Sequence, residues 1–307
     1  MANSIVAPKR ALRWPVIGAF AAVYVIWGST YLAIRFAIET LPPFMMAGAR
    51  FLCAGGLLYA YARLHGAPRP AGRHWRTALI VGGLLLLAGN GGVVWAEQRV
   101  PSGLAALLVA VVPAWMVLLD WARPGGVRPG RRVALGVALG LAGLVLLVGP
   151  GQIAGSGRVD LLGAGVLMLG SLCWAIGSVY SRHAPVPDSP LLFTGMEMLA
   201  GGVLLTLAGG AVGNWTHFSP GVVSLRSLLA AGYLVIFGSL IGFTCYVWLL
   251  RTVPVHRAAT YAYVNPVVAV FLGWALAGEP LTLRTLLAAA VSVTAVVLIT
   301  TYQQRSR

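Results

Sequence analysis

The sequence predicts an all-α membrane protein: ten transmembrane helices arranged as two inverted five-helix repeats. Three observations predict it. Hydrophobic residues make up 59% of the 307 and charged residues only 9%, at a mean hydropathy of +0.85; a soluble domain carries about 25% charged residues. The apolar residues fall in long runs, and about 20 in a row cross a hydrocarbon core of roughly 30 Å. The two halves also read as copies. Trp248-Leu249-Leu250-Arg251-Thr252-Val253-Pro254 repeats Trp95-Ala96-Glu97-Gln98-Arg99-Val100-Pro101 at an offset of 153, which also carries Ala105-Ala106 onto Ala258-Ala259, Gly89 onto Gly242 and Pro113 onto Pro266. Five spans per copy is an odd number, so the second copy enters the bilayer upside down. Many secondary transporters build one midplane site from such inverted repeats.

The expected spans are 15–36, 43–63, 76–95, 102–121, 132–149, 160–181, 190–211, 227–250, 258–277 and 282–302. They divide the chain into a cytoplasmic N-terminal segment (1–14), a first repeat (15–150), a linker (151–159), a second repeat (160–302) and a cytoplasmic tail (303–307). The first span is too long for a signal-peptide core and no small-residue cleavage site follows it, so it stays in the mature chain. Leu41-Pro42-Pro43 then gives a connector short enough to make spans one and two antiparallel neighbours. The third span holds Ala88-Gly89-Asn90-Gly91-Gly92. Each Gly in a helix interior costs about 1 kcal/mol relative to Ala, so this stretch is either a hinge, a place where ligand meets backbone, or a site of close packing. The fourth and ninth spans carry Pro113 and Pro266 at matching places; a missing N–H frees a carbonyl one turn earlier, which bends these helices around a cavity or simply shapes the bundle. Ala277-Gly278-Glu279-Pro280 leads into the tenth span. Elsewhere, Gly55-Gly56 matching Gly201-Gly202 reads as close helix packing.

Charge sets orientation. With the N-terminus in the cytoplasm, sixteen of the 22 basic residues fall inside, among them Lys9, Arg73, Arg123, Arg182, Arg257 and Arg307. The positive-inside rule therefore puts both termini in the cytoplasm. A net charge of +15 scattered between apolar runs speaks for membrane orientation and against nucleic acid as a partner. Cys53, Cys173 and Cys245 lie within apolar runs and imply no disulfide framework. The five histidines lack metal-ligand spacing, and no phosphate loop, nucleophile elbow or paired acid motif appears, so neither metal, cofactor nor catalytic residue is expected. Asn214-Trp215-Thr216 is a glycosylation sequon that matters only in a secretory pathway.

Several stretches resemble the EamA family of drug/metabolite transporters. They are Ala96-Glu97-Gln98-Arg99-Val100-Pro101-Ser102-Gly103-Leu104-Ala105-Ala106 with Pro113 following, and Ala258-Ala259-Thr260-Tyr261-Ala262-Tyr263-Val264-Asn265-Pro266 followed by Gly278-Glu279. Trp27-Gly28-Ser29-Thr30-Tyr31 and Trp174-Ala175-Ile176-Gly177-Ser178-Val179-Tyr180 fit too. The likeness runs from about residue 16 to 302. It implies a ten-helix basket in a bacterial inner membrane, exporting small metabolites such as amino acids or related compounds through a central cavity. That cavity would be lined mainly by helices 1, 3 and 4 and their mates 6, 8 and 9. Partners are then the small-molecule substrate and membrane lipid, with the chain a monomer or homodimer.

Trp27 and Trp174 match at an offset of 147, as do Arg35 and Arg182. Tyr31 shares a helix face with Trp27 at i+4. The two tryptophans read either as packing or as an aromatic wall for substrate. With Asn90, Trp95, Ser178, Trp248, Tyr263 and Asn265 they complete the candidate substrate site. Candidate coupling or gating residues are Arg50, Glu97 and Glu197 with Pro113 and Pro266, since ionisable groups inside a membrane are functional by default. Arg50 and Glu197 match in the two copies yet sit near opposite faces, too far apart to pair; for Glu197, Arg182 or Arg257 is the expected partner. Glu97 fits three roles: binding a substrate amine, taking up a proton, or capping the mouth.

Two other classes compete. A nucleotide-sugar or phosphate-ester antiporter would want several basic residues deep in the cavity, where only Arg50 is expected. An intramembrane enzyme on lipid-like substrates would need clustered acids or histidines, and the seven acidic residues are dispersed.

Overall fold

The computed structural model describes residues 13–100, 102–126, 128–148, 160–214, 218–277 and 283–301. The 151–159 linker, the tail, nearly all of the N-terminal segment, Glu279 and part of the sequon lie outside them. Among the described residues every regular element is helical: α1 (Arg13–Ala37), α2 (Pro43–Leu64), α3 (Gly72–Ala96), α4 (Ser102–Val109), α5 (Val112–Ala122), α6 (Arg131–Val148), α7 (Leu161–His183), α8 (Pro190–Ala211), α9 (Leu225–Thr252), the one-turn α10 (Val255–Ala258), α11 (Tyr261–Ala277) and α12 (Leu283–Thr301).

Helix starts follow local chemistry. Asp160, Ser189 and Ser224 cap α7, α8 and α9, accepting from Gly163 N (2.7 Å), Leu192 N (3.3 Å) and Ser227 N (3.1 Å), the role for which short oxygen-bearing side chains are favoured. Pro43 and Pro190 stand in the first turns of α2 and α8, where proline's missing N–H is harmless. Asn214 Oδ1 accepts from Phe44 N (3.2 Å) and so tethers the start of α2.

Among the described residues six helices are long and apolar enough to cross a membrane, where the sequence predicts ten spans: α1, α2, α3, α7, α8 and α9. Two of the remaining expected spans are interrupted for visible reasons. The fourth span is broken at Ala110-Val111, and Pro113 sits in the first turn of α5 rather than kinking one continuous helix. The ninth is preceded by α10 and a turn at Ala259-Thr260, which leaves α11 with 17 residues. Pro266 lies inside α11 without ending it.

α3 and α9 each contain a stretch with wide, i→i+5 turns, Gly83–Asn90 and Leu234–Phe243. At the 153-residue offset the first falls on 236–243, within the second. Such turns are rare and concentrate at functional positions; here they place the glycine-rich segment 88–92, expected to be soft, beside a cavity.

α2 lies along α8, and α6 along α12. α1 packs on the wide-turn part of α9 and on α11, while α7 packs on the wide-turn part of α3 and on α5. Each pairing becomes the other when the halves are exchanged. Small residues permit the approach: a Cβ at Gly82 would stand 2.8 Å from Gly201 N, and one at Gly201 3.0 Å from Gly82 O. Gly56, expected to pack, faces open space instead. Outward faces carry Leu57, Tyr61, Leu79, Leu207, Leu228 and Ile236 exposed, the all-round apolar character that a lipid setting permits.

Candidate functional site

A hollow opens between α1, α2, α3, α7, α9 and α11, touched also by Val109 of α4. It holds about 70 Å³ of space for water centres, room for several waters at ~10–15 Å³ each. α1 contributes Trp27, Thr30, Tyr31 and Ile34 at helical spacing; α3 contributes Leu86, Gly89, Asn90 and Val93; α7 contributes Gly170, Ser171 and Trp174. Arg50 and Phe51 enter from α2, Gly238 and Phe243 from α9, Tyr261 and Asn265 from α11.

Aromatic rings form its floor. Trp27 meets Trp174 edge-on (centroids 5.6 Å, 82°), Tyr261 edge-on (5.0 Å, 85°) and Tyr246 at 5.0 Å. Edge-to-face contacts match the negative ring face to the positive edge and add roughly 0.5–1.5 kcal/mol per pair. The polar tips are satisfied: Trp27 Nε1 donates to Gly238 O (3.1 Å) and Trp174 Nε1 to the Tyr246 hydroxyl (3.0 Å). Tyr246 is fully buried behind the floor and shares a 2.7 Å hydrogen bond with Ser178.

Arg50 is the charged side chain among the described residues lining this hollow. Rather than reaching for the interface, it is 5% exposed, donates from Nε to Ser239 Oγ at 2.7 Å and lies over the Phe51 ring at 4.7 Å. Its Nη1 and the Asn90 Oδ1 are buried without a hydrogen-bond partner. Asn265, its amide turned to suit its surroundings, donates to Tyr261 O (3.0 Å) and Tyr24 O (3.2 Å) and so ties α11 to α1.

Six of the expected residues thus line the hollow: Trp27, Tyr31, Asn90, Trp174, Asn265 and Arg50. The others stand elsewhere. Trp95 packs in a separate cluster with Ala96 and Leu167, under the Arg99 guanidinium. Ser178 supports Tyr246 from behind. Trp248 packs at the margin of the main core. Tyr263, fully buried, lies against Gly140 of α6, where its ring fills the space of a missing Cβ. Pro113 and Pro266 do not line the hollow either. Glu97 lies outside the lining, its carboxylate oxygens buried without partners; the charge facing it is Arg35, and Tyr31 feels its field. Arg99, its neighbour in sequence, turns to Asp160 at 3.6 Å. Glu197 is buried in α8 with Arg251 facing it, not Arg182 or Arg257 as expected, because α9 brings Arg251 against α8 while Arg182 is held by backbone carbonyls at the end of α9.

Sequence reasoning missed Phe51, Phe243, Tyr246 and Tyr261. Phe243 lies at the place of Asn90 under the 153-residue offset, a signal that was there to use; Tyr246 answers only to Val93, and Phe51 had only its position beside Arg50.

A second hollow, about 230 Å³, shares no lining residue with the first. Asp120, Arg123, Arg128, Arg182 and His256 line it between the ends of α5 and α7, the start of α6, and α10. Burial, reinforced by Arg257, lowers the His256 imidazole to about 4, so it is neutral at pH 7.

Comparison with known proteins supplies the wider context. The chain is 45% identical over 287 residues to the Escherichia coli K12 protein named "Uncharacterized inner membrane transporter YedA", covering 93% of this chain and 90% of that one. It is 26% identical to the Bacillus subtilis "Uncharacterized transporter YvbV", covering 92% and 90%. A solved crystal structure with 22% identity superposes at a TM-score of 0.74 over 94% of this chain and 97% of its own, a likeness of fold. The sequence model of the EamA-like transporter family matches twice, over residues 13–149 and 161–301. A multi-pass helical membrane protein, this chain belongs to the EamA-like transporter family.

Proposed function

We propose that this chain exports small organic metabolites, amino acids or related compounds, across the inner membrane by alternating access. In this reading the two family matches are inverted five-helix repeats (15–150 and 160–302), both termini are cytoplasmic, and the hollow above the Trp27–Trp174 floor is the substrate site. The observation that carries it is that hollow: a polar-tipped, aromatic-floored space at the junction of equivalent helices from both halves.

With the N-terminus inside, the lining residues of α1 and α3, and Arg50 and Phe51 of α2, sit towards the outer ends of their helices while those of α7 lie mid-helix, so in this reading the site faces outward. Its inner side is closed by the aromatic floor, by Tyr24 bonded to Thr260 (2.6 Å) and by Arg182. What favours a cargo with one anionic group and an apolar or aromatic body is the lining itself: one guanidinium, rings on several sides, and no carboxylate among the described lining residues. Asn90 supplies a further polar contact.

The test is transport by purified protein in sealed liposomes. Labelled aromatic amino acids, aromatic monocarboxylates and organic cations are offered separately and recovered for chemical identity. The reading expects unaltered anionic or zwitterionic cargo to equilibrate while cations do not. Chemical conversion of cargo, or movement of none of the three classes, overturns it.

A further inference from the structure

The two halves of this chain are in different states at equivalent positions. At the end of α7, Arg182 Nη1 donates to Leu250 O (2.9 Å) and Val253 O (2.6 Å). These carbonyls belong to the last turn of α9 and just beyond it, where helix carbonyls lack intrahelical partners and a cation is welcome. The contact ties α7 to α9 and closes that end of the bundle. Beside it Tyr246 of α9 is fully buried in a niche left by Ser178 of α7. A latch and a plug thus seal one side.

The duplication maps every part of this seal onto the opposite end. At 147 residues' offset Arg182 answers to Arg35 and Ser178 to Tyr31. At 153 residues' offset Leu250 answers to Glu97, Val253 to Val100 and Tyr246 to Val93. The equivalent group is open here. Arg35 is exposed and has no hydrogen bond or ion pair within reach among the described residues; Tyr31 and Val93 both line the hollow. The bulky and small partners are exchanged between the ends: tyrosine on α9 against serine on α7, tyrosine on α1 against valine on α3. Each end keeps one tyrosine to fill it, and each keeps one arginine to lock it. The Glu97 carboxylate, one residue past the end of α3, already draws on the Arg35 charge.

We propose that Arg35 and Arg182 are alternating latches of the transport cycle. When the hollow closes on the Arg35 side, the Arg35 guanidinium donates to the backbone carbonyls of Glu97 and Val100, Tyr31 packs against Val93, and Arg182 lets go of Leu250 and Val253. The proposal rests on the alternating-access reading above and assigns it two residues. A planar guanidinium with five donors reaches two carbonyls at once, which an ammonium on a flexible stem does less well.

The experiment places one reporter, Ser171→Cys, in the hollow of a chain whose Cys53, Cys173 and Cys245 are replaced by serine. A membrane-impermeant thiol reagent is applied from each face of oriented vesicles. Arg182→Ala is expected to raise the ratio of labelling from the Arg182 face to labelling from the Arg35 face by roughly fivefold, as a loss of about 1 kcal/mol of hydrogen bonding shifts a two-state equilibrium. Arg35→Ala is expected to shift the ratio the other way, and the double variant to return near the parent. An unchanged ratio in either single variant overturns the assignment. If an alanine variant fails to fold, a disulfide between Arg35→Cys and Val100→Cys serves instead: it is expected to protect the reporter from the Arg35 face, and free labelling there overturns the proposal. A reporter labelled from one face in every variant, with or without cargo, sinks alternating access itself, which is a different failure.

Discussion

Trp27 and Trp174, equivalent residues of the two halves, meet edge-on at the centre of the molecule, their centroids 5.6 Å apart. Each stands on a glycine of the opposite half. A Cβ at Gly242 would come within 2.6 Å of Trp27 Nε1, and one at Gly89 within 2.7 Å of Trp174 Cε3. The glycines are themselves equivalent and both lie in the wide-turn stretches of α3 and α9. The contact between the two repeated tryptophans is therefore closely packed from both sides.

Gly89→Ala and Gly242→Ala should each destabilise by about 1–3 kcal/mol, the usual cost of forcing a methyl group into a full site. The loss should appear as a lowered unfolding temperature in detergent, whereas Gly56→Ala, with open space beside it in the interior of α2, should raise that temperature slightly, since Ala is the better helix former.

Trp27→Phe keeps a ring on the floor and removes the hydrogen bond to Gly238 O. It should cost about 1 kcal/mol in stability and lower transport. Trp27→Ala should cost about 3–5 kcal/mol, because Trp27 is 8% exposed and its removal leaves a void among Trp174, Phe243, Tyr246 and Tyr261. Thermal unfolding measured beside liposome transport separates the two effects.

Arg50→Gln should raise the KM for anionic cargo at least about tenfold, as loss of a charge-assisted contact of roughly 1.5–3 kcal/mol requires. Ser239→Ala, which only releases Nε, should do less. Equal KM values for anionic and neutral cargo in parent and Arg50→Gln would remove Arg50 from the site.

Asp160 stands before the first turn of α7, and its bond from Gly163 N, helped by Arg99, holds its carboxyl below the ordinary value of 3.8. A carboxylate depressed on folding contributes stability above its unfolded pKa and loses it as pH falls through the folded one. Unfolding temperature should therefore drop on acidification below about pH 4. Asp160→Asn should flatten that part of the profile; an unaltered slope would show other groups at work.

Much of the site was legible because it recurs. Trp27 with Trp174, and Asn265 before Pro266, stood out as polar or aromatic groups at repeated places in apolar runs. Trp95 and Trp248 satisfied the same criterion and lie elsewhere, since a repeat marks equivalence without saying which helix face turns inward. Tyr246 was hidden for the converse reason: its counterpart is Val93, so neither looked like half of a pair.

Alone, the sequence determined that the chain is a duplicated, membrane-embedded helical protein, because apolar run length and repeat spacing are local properties. Helix ends were nearly as local, fixed by Ser189-Pro190, Ser224 and Asp160. Tertiary packing decided the rest: that Arg50 turns to Ser239 instead of the interface, that Arg251 and not Arg182 faces Glu197, and that one end is sealed while its twin is open. Those depend on which side chains meet across helices far apart in the chain, and in a bundle whose helices are apolar all round no periodicity in the sequence reports it.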